Sequence, residues 1–246
     1  MDLEDYLNSL LSAQHIPDTA VNGIQVANTG PIEKIATAVS SSIEALEKAV
    51  TERANALIVH HGMFTTKSPG LLKNTLYKKV KLLIDNNIAL LCYHLPLDAH
   101  RTLGNNCKAA LDLGLKDLQP FAEYYNTPIG VIGSLEAIPF QTFQKHVENY
   151  YGCKAQAVEI KKTIKRVAIV SGAGEKSLTA AARAGADCLI TGRTDEPVWD
   201  EAHEEEISFL ALGHYKTETV GPKALAQHLE ESLNIPCCFI ETNNPF

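Results

Sequence analysis

Two four-residue intervals carry the most chemistry in this chain. "HLPLDAH" places His94 and Asp98 four apart, and "HYKTE" does the same for His214 and Glu218. On a helical turn that spacing puts an imidazole nitrogen and a carboxylate oxygen on one face, a disposition suited to holding a cation. A third feature is "ALIVHHG", an apolar run closed by His60 and His61. Successive strand side chains point to opposite faces, so two histidines serving one site predict a strand that has ended and a turn that carries the pair. A lone histidine at a strand end is usually an ordinary hydrogen-bonded residue. Two matched His-x-x-x-carboxylate units plus a His-His pair point instead to metal. Six N/O donors exceed the needs of one tetrahedral ion and suit two, bridged by a carboxylate and a water.

Something must bring these donors together, and the patterning says what. Apolar runs of strand length recur at 34–40, 56–60, 88–94, 166–172, 187–192, 208–214 and 237–241. Segments of helical spacing, such as "SSIEALEKAVTER" and "GPKALAQHLEESLN", lie between them, which argues for an α/β fold. The chain also repeats itself. "KIATAVSSSIEALEKAVTERANALIVHHG" and "KRVAIVSGAGEKSLTAAARAGADCLITGR" follow one plan, and each leads through another helix and strand to a histidine, His94 or His214. The prediction is two related α/β lobes, 1–125 and 126–246, with mixed sheets flanked by helices. Every donor would sit at the carboxyl end of a strand, where ligands gather in open α/β sheets.

Weaker signals are read conservatively. "VSGAGEKSL" lacks the elements of a phosphate loop and reads as a tight turn, while Asn22-Gly23 reads as a turn that could line a pocket. His100 is a candidate to orient a ligand, and His15, His146, His203 and His228 are ordinary polar residues. Six cysteines occur without a C-x-x-C pair, and those in apolar runs read as small hydrophobes. With 22 basic and 29 acidic residues the net charge is −7, which argues against a general affinity for nucleic acid or anionic membrane. No run reaches the roughly 18 apolar residues of a membrane helix, and the acidic start is unlike a signal peptide, so a cytoplasmic location is expected.

"NGIQV", "IVHHG", "HLPLDAHRTLGNN" and "GHYKTE", in this order, resemble the YbgI-type or Nif-three-like dinuclear-metal proteins, often labelled GTP cyclohydrolase 1 type 2 homologues. The resemblance implies a two-lobed subunit with the metal site between the lobes, in a toroidal homohexamer whose central cavity the site faces. It implies two divalent ions per subunit, of Zn, Fe, Mn or Ni, held by His60, His61, Asp98, His214 and Glu218, with Glu218 as the bridge. His94 also matches a family position, as a ligand or as a nearby acid/base, and the acid/base role is preferred because it is the donor least needed for coordination. The expected function is a metal-dependent hydrolase of a phosphoester, nucleotide or related small molecule. The competing expectation is a non-catalytic ring that stores or delivers metal, or an adaptor.

Overall fold

The computed structural model describes residues 2–68 and 70–246, which divide into two compact units. The first comprises Met1–Leu97 and Gly221–Asn243, the second Asp98–Val220 and Asn244–Phe246. The second segment of the first unit is a helix and strand that return to it after the chain has built the other.

The chain opens with helix α1 (Leu3–Leu10), then β1 (Gly23–Val26), β2 (Ile35–Ser40), α2 (Ile43–Thr51), β3 (Ala56–His61), α3 (Asn74–Asp85), β4 (Ala89–Cys92) and the single turn α4 (Leu95–Asp98). Ser42 caps α2 by accepting a hydrogen bond from the Ala45 amide at 3.1 Å. The alternation β-α-β-α-β produces parallel pairing of β2, β3 and β4, since a helical crossover returns each strand in the same direction. The run buried on both faces of β2, β3 and β4 is what such a covered parallel sheet demands. Leu46, Leu57, Leu83 and Leu90 form part of its core.

The second unit holds α5 (Asn105–Asp112), β5 (Lys116–Tyr124), β6 (Thr127–Pro139), α6 (Phe140–Tyr151), β7 (Gln156–Val158), β8 (Thr163–Val170), α7 (Leu178–Arg183), β9 (Cys188–Thr191), α8 (Val198–Glu204), β10 (Ser208–Ala211) and the single turn α9 (His214–Thr217). Its sheet runs β5-β6-β8-β9-β10-β7, with β8, β9 and β10 parallel and the other neighbours antiparallel. Strand alternation divides the core by face: Val167 and Ile169 pack with Phe140 and Phe143, while Ala168 and Val170 pack with Leu178 and Val198. Finally α10 (Val220–Leu233) and β11 (Cys237–Phe239) complete the first sheet, in the order β1-β4-β3-β2-β11.

The fold is thus α/β with two mixed sheets flanked by helices, as expected. The internal repeat is visible as β2-α2-β3-α3-β4-α4 and β8-α7-β9-α8-β10-α9. All seven apolar runs form strands. Among the described residues four strands, β1, β5, β6 and β7, lie outside those runs. β1 begins at Gly23, within the expected turn, and β5 is mostly polar because it is an edge strand with exposed residues. No helix among the described residues is long and apolar enough to cross a membrane.

Candidate metal centre

The histidine pair is placed differently from the expectation. His60 and His61 are the last two residues of β3 itself, with His61 registered against Ser40 of β2. Pairing continues to this point because β3 is the central strand of the sheet. Their rings still approach to a centroid distance of 4.6 Å, tilted by 42°. At a strand's terminus no following strand residue stands in the way, so both side chains can lean over the end.

His94, which follows β4, joins them. Its ring lies 4.8 Å from that of His60 and 5.5 Å from that of His61. Nitrogens of all three histidines fall within 4.8 Å of one another. Each ring is oriented by its other nitrogen: His60 Nδ1 lies 3.3 Å from the Tyr93 carbonyl, and His61 Nδ1 lies 3.3 Å from Ser40 Oγ. A His60 Nδ1–H donating to that carbonyl leaves the lone pair on Nε2, the form a metal requires. His60 is fully buried, whereas the His94 side chain keeps about a quarter of its surface, so one side of the group remains accessible.

Asp18 carries no signal in the sequence that marks it as part of the site. Its carboxylate sits 3.0 and 3.2 Å from His94 Nδ1 and accepts the amides of Ala20 at 3.0 Å and Leu95 at 2.9 Å. Burial opposes ionisation, but the His94 hydrogen bond and charge and the two amides outweigh it, holding the Asp18 carboxyl down at about 2. A buried carboxylate on Nδ1 fixes the His94 ring and directs Nε2 outward, as in carboxylate-histidine-metal arrangements. His94 therefore has the geometry of a ligand as much as of an acid/base. Asn22 completes the support, its Oδ1 accepting the His94 amide at 2.9 Å. The nearest thing to a clue is the spacing of Asp18 and Asn22, four apart and just ahead of Gly23.

Gln25 is a second supporting residue without a sequence signature. Its Oε1 accepts the amides of Met63 at 2.6 Å and Phe64 at 3.2 Å, clamping the segment that follows the histidine pair. Gly62 admits this clamp, because a Cβ there would collide with the Gln25 amide.

In the second unit the repeat delivers its counterpart. His214 starts α9 and Glu218 follows its last residue, with Nε2 and Oε1 3.0 Å apart. Glu218 is nearly buried. Gly172, at φ +63°, backs the pair, and a Cβ there would press on Glu218 Oε1 and reach within 3.2 Å of His214 Nε2. The Gly172 amide donates to Thr217 Oγ1 at 3.0 Å and that of Gly174 to Thr191 Oγ1 at 3.0 Å. These amides are committed internally, so "SGAGE" is the expected tight turn rather than a phosphate cradle. The same turn leads to Glu175, a further buried carboxylate whose Oε2 has no hydrogen-bond partner among the described residues.

Asp98 is buried and accepts from Asn105 Nδ2 at 2.8 Å. His100 accepts the Leu103 amide at 3.0 Å and so shapes a turn. His203 packs against Trp199 with the rings tilted by 44°, and His228 meets the Tyr6 hydroxyl at 2.8 Å, which accords with their ordinary reading. All six cysteines are free thiols; Cys92 and Cys188 are buried and the remaining four are partly buried.

The chain therefore carries two groups of side chains able to hold divalent ions, one built on His60, His61 and His94 and one on His214 and Glu218. The donors fit such ions by their chemistry. They are imidazoles and carboxylates without thiolates, a set that suits Zn, Fe, Mn or Ni.

Comparison with known proteins agrees. The chain is 44% identical over 249 residues to a GTP cyclohydrolase 1 type 2 homolog of Chlamydia pneumoniae, covering all of this chain and 98% of that protein. Among solved structures it resembles the protein ybgI, described as of unknown function, with a TM-score of 0.92 and 34% identity over 99% of this chain and 98% of that one. It also resembles TTHA1606 from Thermus thermophilus, with a TM-score of 0.91 and 30% identity over 99% and 98% of the two chains. Residues 1–245 match the family described as Duf34/NIF3 (NGG1p interacting factor 3), and the chain belongs to that family.

Proposed function

We propose that this protein is a hydrolase of small phosphoesters or nucleotides that works with two divalent ions per chain, held by His60, His61, Asp98, His214 and Glu218. The observation that carries the reading is the three-histidine group with one accessible side and a buried Asp18 behind His94. When bound, such ions lower the pKa of a coordinated water and stabilise charge on the attacked centre. His60 and His61 present nitrogens fixed by Tyr93 and Ser40, so the site needs little reorganisation. Glu218 and Asp98 supply the negative charge that balances the cations. His94, backed by Asp18, can hold a proton at Nε2 and release it to a leaving group, which is the role proposed for it.

The names of the relatives put GTP first among substrates to try. The resemblance also implies a homohexamer, which light scattering would register as six copies of a 26.8 kDa chain. The decisive experiment pairs metal analysis of untagged protein with turnover of GTP and a panel of phosphoesters, in wild type, Asp98→Ala and Glu218→Ala. About two ions per chain and a turnover lost in both variants are expected. Two ions with no turnover on any panel member, and ready metal exchange, would favour the storage reading. The three imidazoles that His94 completes also suit that alternative.

A further inference from the structure

A cavity of about 370 Å³ lies wholly within the second unit, between the segment that leads into α5 and the β5–β6 hairpin. Its walls are chiefly apolar, with Leu118, Pro128, Ile129 and Val131 from the hairpin and Cys107 from α5. Arg101 stands in its lining and is exposed, and its guanidinium makes no ion pair among the described residues. No carboxylate among the described residues lines the cavity. An apolar chamber of this volume with one unneutralised cation is the usual form of a site for a small amphiphilic anion.

The cavity is built rather than accidental. Asn106 donates to the Ile129 carbonyl at 2.7 Å and accepts the Ser171 amide at 2.6 Å, tying α5 to the inner strands and fixing the wall. Strand addition is a poor alternative occupant. β5 is the edge strand, but Pro120 removes an N–H from it and its register shifts between Lys116 and Gln119, both of which blunt an edge.

We propose that this cavity binds a small organic acid, its carboxylate or phosphate paired with Arg101 and its compact apolar body against Leu118, Ile129 and Val131. The inference is independent of the metal reading, since none of these residues is a candidate ligand. Cys107 supplies the report, because its thiol lines the chamber.

The test follows the reaction of the full-length protein with N-ethylmaleimide, resolved cysteine by cysteine by peptide mass spectrometry, using octanoate as the probe and octanol as its neutral counterpart. Octanoate should slow modification of Cys107 at least fivefold while leaving Cys153, Cys237 and Cys238 unchanged, and octanol should protect far less. Arg101→Gln should raise the octanoate concentration needed about tenfold. Equal protection by octanoate and octanol, unchanged octanoate binding in Arg101→Gln, or equal slowing at all four thiols would overturn the proposal. Should Cys107 resist the reagent without ligand, displacement of the fluorophore 8-anilinonaphthalene-1-sulfonate by octanoate replaces labelling. The same dependence on Arg101 is required, and its absence rejects the site.

Discussion

Gly172→Ala tests whether the turn after β8 shapes the His214–Glu218 pair. Gly172 has φ +63°, a left-handed conformation that costs a residue with a Cβ about 1 to 2 kcal/mol. The new methyl would also meet Glu218 Oε1. The cheapest relief is to rotate the Glu218 carboxylate away, which gives up its 3.0 Å contact with His214, a charged interaction of about 1.5 to 3 kcal/mol. The sum is roughly 2.5 to 5 kcal/mol, or a melting temperature lower by about 5 to 20 °C at 2 to 4 °C per kcal/mol. Gly152→Ala is the matched control. It has φ +67° and open space where its methyl would stand, so it bears the backbone cost alone, about 2 to 8 °C. Calorimetry of both variants, with metal content measured on the same samples, separates the two contributions. Gly172→Ala should melt lower than Gly152→Ala and hold less metal. Equal melting temperatures and a full metal complement in both would refute the claim that position 172 must be bare for the pair to form.

Two further outcomes are expected. Phe143→Ala empties a fully buried position in the core between α6 and the second sheet and should destabilise the protein by about 3 to 5 kcal/mol in urea unfolding; a loss below about 1 kcal/mol would mean that this core collapses around the cavity. Glu148 is held by hydrogen bonds from Lys154, Gln144 and the Ala155 amide, which lower its carboxyl from the ordinary 4.5 to about 2. Because the folded value is the lower one, this stabilisation is present above pH 4.5 and disappears as the pH falls towards 2. The stability difference between wild type and Glu148→Gln should therefore be largest near neutrality and shrink below pH 4.5, and a difference that grows on acidification would reverse the assignment.

The interior strands were legible because a parallel sheet covered on both faces writes near-continuous apolar runs, as in Ala56–Val59 and Cys188–Ile190. The edges were not. β5 is exposed at Lys116, Asp117, Gln119, Pro120, Glu123 and Tyr124 and shows no two-residue alternation, so nothing local distinguishes it from a loop until β6 pairs with it. β1 is four residues long and owes its strand conformation to the antiparallel partner β4. The return of α10 and β11 to the first sheet is likewise a matter of pairing with β2, which a linear reading cannot anticipate.

The candidate site divides along the same line. Sequence alone determined the donor types, the two His-x-x-x-carboxylate units and their strand-end positions, because spacing and repetition are properties of the chain. Tertiary structure decided that β3 continues through both histidines, that His94 stands with them, and that Asp18, 76 residues earlier in the chain, holds His94 by its Nδ1. It also placed Asn105 on Asp98 and Gln25 on the segment after the histidine pair. Such partners are fixed by contacts across strands and turns, and their residue types, a single Asp, Asn or Gln, carry no periodic signal of their own.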